Sequence, residues 1–329
     1  MQADIRTLTA GTVAATMSAA FGMGLWLSLA KVQFLIFVFA FGSLVSLPVL
    51  ITIFSYGTNA GIFSAILATF FLVAGLPSVA ALLIALFFFI PSVFVGWLMD
   101  LARTDRQKGV LLWYPLCPAL FQLALVITIA AITLMLYLLS SAEVMQYIDG
   151  LINQFTAVIR DSNLYRTTDQ TVIEKTLRIR FIPAMASVFA VYGFLFHLGS
   201  LYLSMRLAKK LGYLRRPPDD WPAALRMPPA AFFIFSAGWI MSLFPFNDTL
   251  VICMDAIVSV LGASFFASGL AFIHQATRGR SWRLSVLVAV YSGLFTLVLT
   301  PFIIMALVLT GLFATTFSSH RNDTTRRSH

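Results

Sequence analysis

VQFLIFVFAFGSLVSLPVLITIFSYGTNAGIFSAILATFFLVAGLPSVAALLIALFFFIPSVFVGWLM, residues 32–99, contains no Asp, Glu, Lys, Arg or His. A helix needs roughly 20 apolar residues to cross the hydrocarbon core of a bilayer, so this run is long enough for three crossings. Two turn-like strings, YGTN (56–59) and GLPS (75–78), divide it. Spans are predicted near 32–55, 59–75 and 78–101.

The rest of the chain repeats the pattern. Further runs free of acidic and basic residues cover Thr7–Ala30, Gly109–Ala142, Met227–Asn247, Ala256–Ile273 and Leu284–Ser319, and another runs from Phe181 past the lone His197 to Met205. Apolar residues make up 60% of the 329 residues and charged residues 11%; the mean hydropathy is +0.90. A soluble domain is about one-quarter charged, so a water-exposed surface could not be covered with what remains. The expected fold is an all-α polytopic membrane bundle, a single domain over 1–329 with about nine spans (eight to ten) and one amphipathic extramembrane helix. No period of 20–50 residues repeats.

The stretch after Arg6 exceeds the roughly 7–15 residues of a signal-peptide core and reads as a retained first span. Cys117 and Cys253 both lie in apolar runs and form no disulfide or metal pattern. The net charge of +9 would suggest nucleic acid in a soluble protein. Without aromatic–basic interleaving, the positive-inside bias explains it better. Arg103, Arg106 and Lys108 fill one connection and Arg278, Arg280 and Arg283 another; RLAKKLGYLRRPPDDWPAALR (206–226) sets six basic residues against Asp219 and Asp220. These three connections and the N-terminus are placed in the cytoplasm, in a bacterial inner membrane. The polar region 140–179 then falls outside. The side of the polar tail 317–329 stays open: one span over 284–316 puts its arginines outside, whereas a hairpin broken near Pro301 brings them in.

In the polar region, Val144, Ile148, Leu151, Ile152, Phe155, Val158 and Ile159 recur at helical spacing and form one apolar stripe. This fits an amphipathic helix at the interface or capping the bundle; a lid or partner-docking element is the alternative.

Ionisable groups inside spans are site candidates by default. His197 lies mid-span on a row of small and polar residues, Ala186, Ala190, Gly193, Ser200 and Ser204. Asp255 begins a second row with Ser259, Ala263, Ala267 and Ala271, roughly two turns from the outer end of its helix. His197, Ser200, Asp255 and Ser259 are therefore the candidate ligand contacts. A His197–Asp255 pair would lower the burial penalty of both; Asp255 bonding a backbone group or water is the other reading. In the first span Gly11, Ala15 and Ala19 form a small-xxx-small row, as do Ala10, Ala14, Ser18 and Gly22. Such rows let helices approach closely, either within the bundle or against a separate subunit.

There is no G-x-x-x-x-G-K-[ST], H-E-x-x-H or G-x-S-x-G, no Cys/His cluster at metal spacing and no embedded carboxylate pair. No cofactor is expected, and an enzyme reading has little to stand on.

Four strings, GLPSVAALLIAL (75–86), WYPLCPAL (113–120), RMPPAAFFIFSAGW (226–239) and FFASGLAFIH (265–274), together resemble the bacterial YybS-like family of predicted membrane proteins. That family is similar, more remotely, to the substrate-binding subunits of energy-coupling-factor transporters. The resemblance implies docking of a scaffold subunit on the first helix, through a row such as Ala15-xxx-Ala19, with a separate ATPase supplying the work. The expected function is a non-enzymatic component that binds a small solute or lipid and works with partner subunits in the bilayer. An envelope scaffold without a ligand is the alternative.

Overall fold

The computed structural model describes residues 5–29, 35–105, 109–161, 170–244 and 247–327. Seven helices among them are long and apolar enough to cross a membrane: Ile5–Leu29, Phe37–Tyr56, Thr58–Gly75, Ser78–Asp100, Leu116–Ser140, Lys175–Lys210 and Thr249–Ala276. This is the organisation of a multi-pass membrane protein.

α1 (Ile5–Leu29) runs beside α4 (Thr58–Gly75), because small residues line the seam. Gly11, Ala15, Ser18, Ala19 and Gly22 are all buried. The Ser64 hydroxyl donates to the Gly11 carbonyl at 2.8 Å, and a Cβ at Gly11 would stand 2.8 Å from the Phe63 ring. Of the two uses expected for this row, packing within the bundle or docking of a separate subunit, the contacts are those of packing against α4 of the same chain. Close packing without side-chain bulk is what such rows provide in lipid, where dispersion rather than the hydrophobic effect holds helices together.

The second span is α2 (Leu35–Val45) and α3 (Leu47–Tyr56), interrupted at Ser46 ahead of Pro48. The fourth is α5 (Ser78–Ile84) and α6 (Ile90–Asp100), joined by a π turn over Ala85–Phe89. Pro91 at the start of α6 has no N–H to return to the preceding turn, and the ladder widens there. A short antiparallel hairpin, β1 (Ala102–Thr104) and β2 (Leu111–Trp113), leads to α7 (Leu116–Ser140).

α8 (Ala142–Asp161) occupies the first half of the polar region and packs on α7 and α9. Ile148, Ile152 and Thr156 are buried, while Phe155 and Val158 are exposed. α9 (Gln170–Lys210) has 41 residues, about 60 Å at 1.5 Å per residue. That is twice the hydrocarbon thickness of about 30 Å, so its first third extends beyond the bundle alongside α8.

Two of the nine expected spans take another form. The stretch 229–247 contains α11 (Pro229–Met241), only 13 residues, after a single turn, α10 (Trp221–Ala224). The stretch 284–316 is divided into α13 (Arg283–Leu294) and α14 (Thr300–Arg327), with Pro301 in the first turn of α14. α13 does not cross the bundle. His274, near the end of α12 (Asp248–Ala276), contacts the Tyr291 hydroxyl at 2.9 Å, and Gly293 packs against Ile303. α13 therefore stays at the depth of the α12 terminus.

α14 then runs antiparallel to α12 at a backbone crossing. A Cβ on Gly269 would fall on the Leu307 carbonyl oxygen, and one on Gly311 would fall on that of Phe265. α14 thus leads away from the end where α12 stops and continues through most of the segment read as a polar tail. The side chains of residues 316–329 lie outside the described set.

Candidate functional site

The three basic connections meet at one end of the bundle. Asp100, the last residue of α6, accepts hydrogen bonds from the backbone N–H of Thr58 (3.2 Å) and its hydroxyl (3.0 Å). It also pairs with Arg215 at 3.2 Å. An anion at a helix N-terminus satisfies free N–H groups and the helix dipole together, so Asp100 ties α6, α4 and the 206–226 connection into one knot.

Arg216 is driven deeper. Its guanidinium donates to the carbonyls of Met99 (2.9 Å) and Tyr114 (3.3 Å) and pairs with Asp219 at 3.0 Å, with its side chain 4% exposed. Burial pulls the Arg216 guanidinium down and pushes the Asp219 carboxyl up, and their mutual attraction opposes both shifts. A charge this buried persists because its partner and two carbonyls replace water. Asp220, next in the chain, is instead exposed and held by Arg278 through two parallel bonds of 2.7 and 2.8 Å. These bonds hold its carboxyl below the usual carboxylate range and raise the Arg278 guanidinium.

Above these pairs lies a groove of about 380 Å³ between the end of α9, the connection to α10, the end of α12 and the start of α13. Arg206, Lys209, Arg278 and Arg283 supply its positive charge, and Asp219 and Asp220 its negative charge. Both aspartates are already engaged, by Arg216 and Arg278. Among the described residues Arg206, Lys209 and Arg283 have no ion-pair partner. The Arg206 guanidinium lies over the Tyr202 ring at 5.2 Å, and Tyr202 meets Trp221 edge-on at 5.1 Å. Cation–π contact fixes the fork of Arg206 toward the groove without consuming its hydrogen bonds. From Arg283 onward, α13 and the residues after it expose Leu284, Val288, Phe295, Leu297 and Val298 by 57–93%, an apolar shoulder that starts at the groove.

The sequence candidates are placed elsewhere. His197 is fully buried. Its Nε2 meets the Phe88 carbonyl at 3.1 Å and its Nδ1 the Gly193 carbonyl at 2.7 Å; a neutral ring donates at one of these and a protonated ring at both. The Phe88 carbonyl belongs to the π turn and also accepts the Ser46 hydroxyl at 3.2 Å. The Ser200 hydroxyl donates to the Ser43 carbonyl at 2.6 Å. These two side chains therefore staple α9 to the second and fourth spans, and their polar atoms face backbone.

Asp255 lies within electrostatic reach of Arg180 on α9, the helix against which α12 packs. Arg180 and His197 are 17 positions apart on α9, about 25 Å at 1.5 Å per residue. The structure therefore keeps Asp255 and His197 apart. Asp255 and Ser259 are both half-buried on α12, and neither they nor His197 or Ser200 line the basic groove.

The groove residues were visible in the sequence only as charges assigned to topology. The signal that sets them apart is local: Tyr202 and Arg206 are one helical turn apart, and Trp221 follows directly after Asp219-Asp220. Among the described residues no three His, Cys, Asp or Glu side chains come together as a metal site. Compared with known proteins, the chain matches no family model, no curated protein and no solved structure. The likeness to YybS-like proteins rests on the four strings alone.

Proposed function

We propose that this chain is a non-enzymatic membrane component that binds a small anionic solute or lipid and works with partner subunits, with the basic groove as its binding site. The observation that carries this reading is the charge imbalance of the groove: Arg206, Lys209 and Arg283 converge while both nearby aspartates are already paired. Three like charges in one concavity repel one another, and an anion relieves that repulsion. Positive connections face the cytoplasm in most membrane proteins, which supports a groove on the inner face of a bacterial cytoplasmic membrane as part of this reading. Kinship with YybS-like proteins and reliance on a separate ATPase belong to the same proposal.

A second reading has its own observation. Phe155, Val158, Val172 and Ile179 are exposed on α8 and the first part of α9, at 50–67%, beyond the bundle on the opposite side. In an envelope scaffold this amphipathic hairpin would be the docking surface, and no ligand would be needed.

The test is extraction of the full chain in mild detergent, followed by mass spectrometry of what remains bound. A stoichiometric anionic small molecule or lipid, with or without an ATPase, supports the first reading. Envelope-assembly proteins without any such ligand overturn it in favour of the second.

A further inference from the structure

We infer that the ligand of the basic groove carries a phosphate monoester, a doubly charged phosphate on an organic or lipid stem. This rests on the reading of the groove as an anion site and specifies its chemistry.

Charge comes first. The groove holds three unpaired cations, Arg206, Lys209 and Arg283. A carboxylate or phosphodiester brings one negative charge, and a phosphocholine headgroup brings a quaternary amine that these cations repel. A phosphate monoester carries about −1.5 to −2 at pH 7 and three strong acceptor oxygens. It matches the charge more closely than a singly charged group, with an oxygen for each cation.

Donor geometry agrees. Arginine presents a planar fork suited to two oxygens of one phosphate, and lysine adds a compact point charge. Arg206 is held by the Tyr202 ring, which Trp221 backs, so its fork is set before the ligand arrives. Little ordering entropy then remains to oppose binding. Arg278 offers a fourth fork now occupied by Asp220, and the incoming phosphate competes with that carboxylate for it.

The position of the groove indicates how such a ligand could arrive. Tyr202 and Trp221, at the end of a candidate span, are of the residue types that gather at the headgroup level of a bilayer. α13 starts at the groove residue Arg283 and exposes Leu284 and Val288, an apolar shoulder that leads away from it. A lipid phosphate can slide in along that shoulder; a phosphorylated solute or free phosphate enters from water. The chemistry at the cations is shared.

The experiment uses the purified full chain in nanodiscs of phosphatidylcholine doped with a few per cent of either phosphatidic acid, a monoester, or phosphatidylglycerol, a diester. Bound lipid is counted by native mass spectrometry after release. The expected result is at least a tenfold enrichment of phosphatidic acid over phosphatidylglycerol, reduced to parity in Lys209→Gln/Arg283→Gln. Arg103→Gln, at the other basic connection, keeps the enrichment. Competition by millimolar inorganic phosphate marks a soluble phosphate as the source, and resistance to it marks the lipid; both retain the monoester site.

Equal retention of the two lipids by the wild-type chain overturns the monoester assignment while leaving an anion site standing. Retention of neither, together with no binding of inorganic phosphate, overturns the anion reading as well. Should the double variant unfold, Arg206→Lys in an intact bundle serves instead. It keeps the charge but loses the fork, and a monoester preference unchanged in that variant counts against the proposal.

Discussion

Asp220 and Arg278 face each other across the rim of the basic groove, joined by two parallel hydrogen bonds of 2.7 and 2.8 Å, 58 residues apart in sequence. The pair clamps the connection after α9 to the end of α12, next in the chain to the buried Arg216–Asp219 pair.

The pH dependence of groove binding follows from that clasp. Hydrogen bonds from Arg278 depress the Asp220 carboxyl below its ordinary value, so Asp220 stays ionised throughout pH 5–8. Its contribution to holding the connection is complete above the unfolded carboxylate value of about 3.9 and is lost only as pH falls through the lower folded value. A phosphate monoester, by contrast, loses its second charge near pH 6. In His274→Gln, where no imidazole lining the groove gains charge over the same range, phosphatidic acid retention is expected to fall several-fold between pH 7.5 and 5.5, with unchanged amide protection factors in residues 218–224. A loss of protection over the same range, after correction for the intrinsic pH dependence of exchange, would show that the clasp itself titrates.

Arg216 is a structural cation. Replacing it with methionine leaves the carbonyls of Met99 and Tyr114 without this donor and Asp219 without its guanidinium. Breaking a buried pair in this way is expected to lower stability by about 3–5 kcal/mol. Thermal unfolding in detergent should show it, and Arg216→Met/Asp219→Leu should recover part of the loss. An unchanged melting temperature in the single variant would mean that water reaches this site.

The α12–α14 crossing admits no Cβ. Gly269→Ala and Gly311→Ala each place a methyl on a facing backbone carbonyl, and backbone cannot rotate aside as a side chain can. Each is expected to destabilise by about 1–3 kcal/mol. Gly262→Ala, on the same helix, meets only the Phe235 ring edge at 3.7 Å and should be nearly neutral. Equal melting of all three variants would refute the close crossing.

His197→Leu separates packing from binding. It removes the contacts to Phe88 and Gly193 and is expected to destabilise by about 1–3 kcal/mol. Retention of phosphatidic acid should be unchanged, because His197 and Lys209 are 12 positions apart on α9, about 18 Å. Lost retention at unchanged stability would return His197 to the binding site.

The class of the protein was legible because an uncharged run such as 32–99 has one physical use, and the glycine and proline breaks at 57 and 75–77 fall where helices end. The break at 295–299 was harder, since FTLVL is as apolar as its flanks and only the arrangement beside His274 shows that α13 does not cross. The site was missed for a similar reason. His197 looked unpaired because its partner, the Phe88 carbonyl, lies 109 residues away and backbone acceptors leave no mark in a sequence. Arg206, Lys209 and Arg283 looked like topology because each connection is basic for that reason alone. Only the fold shows which charges converge.

α9 carries Lys209 into the basic groove and, 29 positions earlier, Arg180 toward Asp255. It does so as one unbroken helix, with Pro183 near the second of these sites. A rod about 44 Å long between those two residues makes the opposite faces of the membrane mechanically continuous. Any displacement of one end of such a rod is taken up along its whole length or at Pro183, where a backbone hydrogen bond is missing.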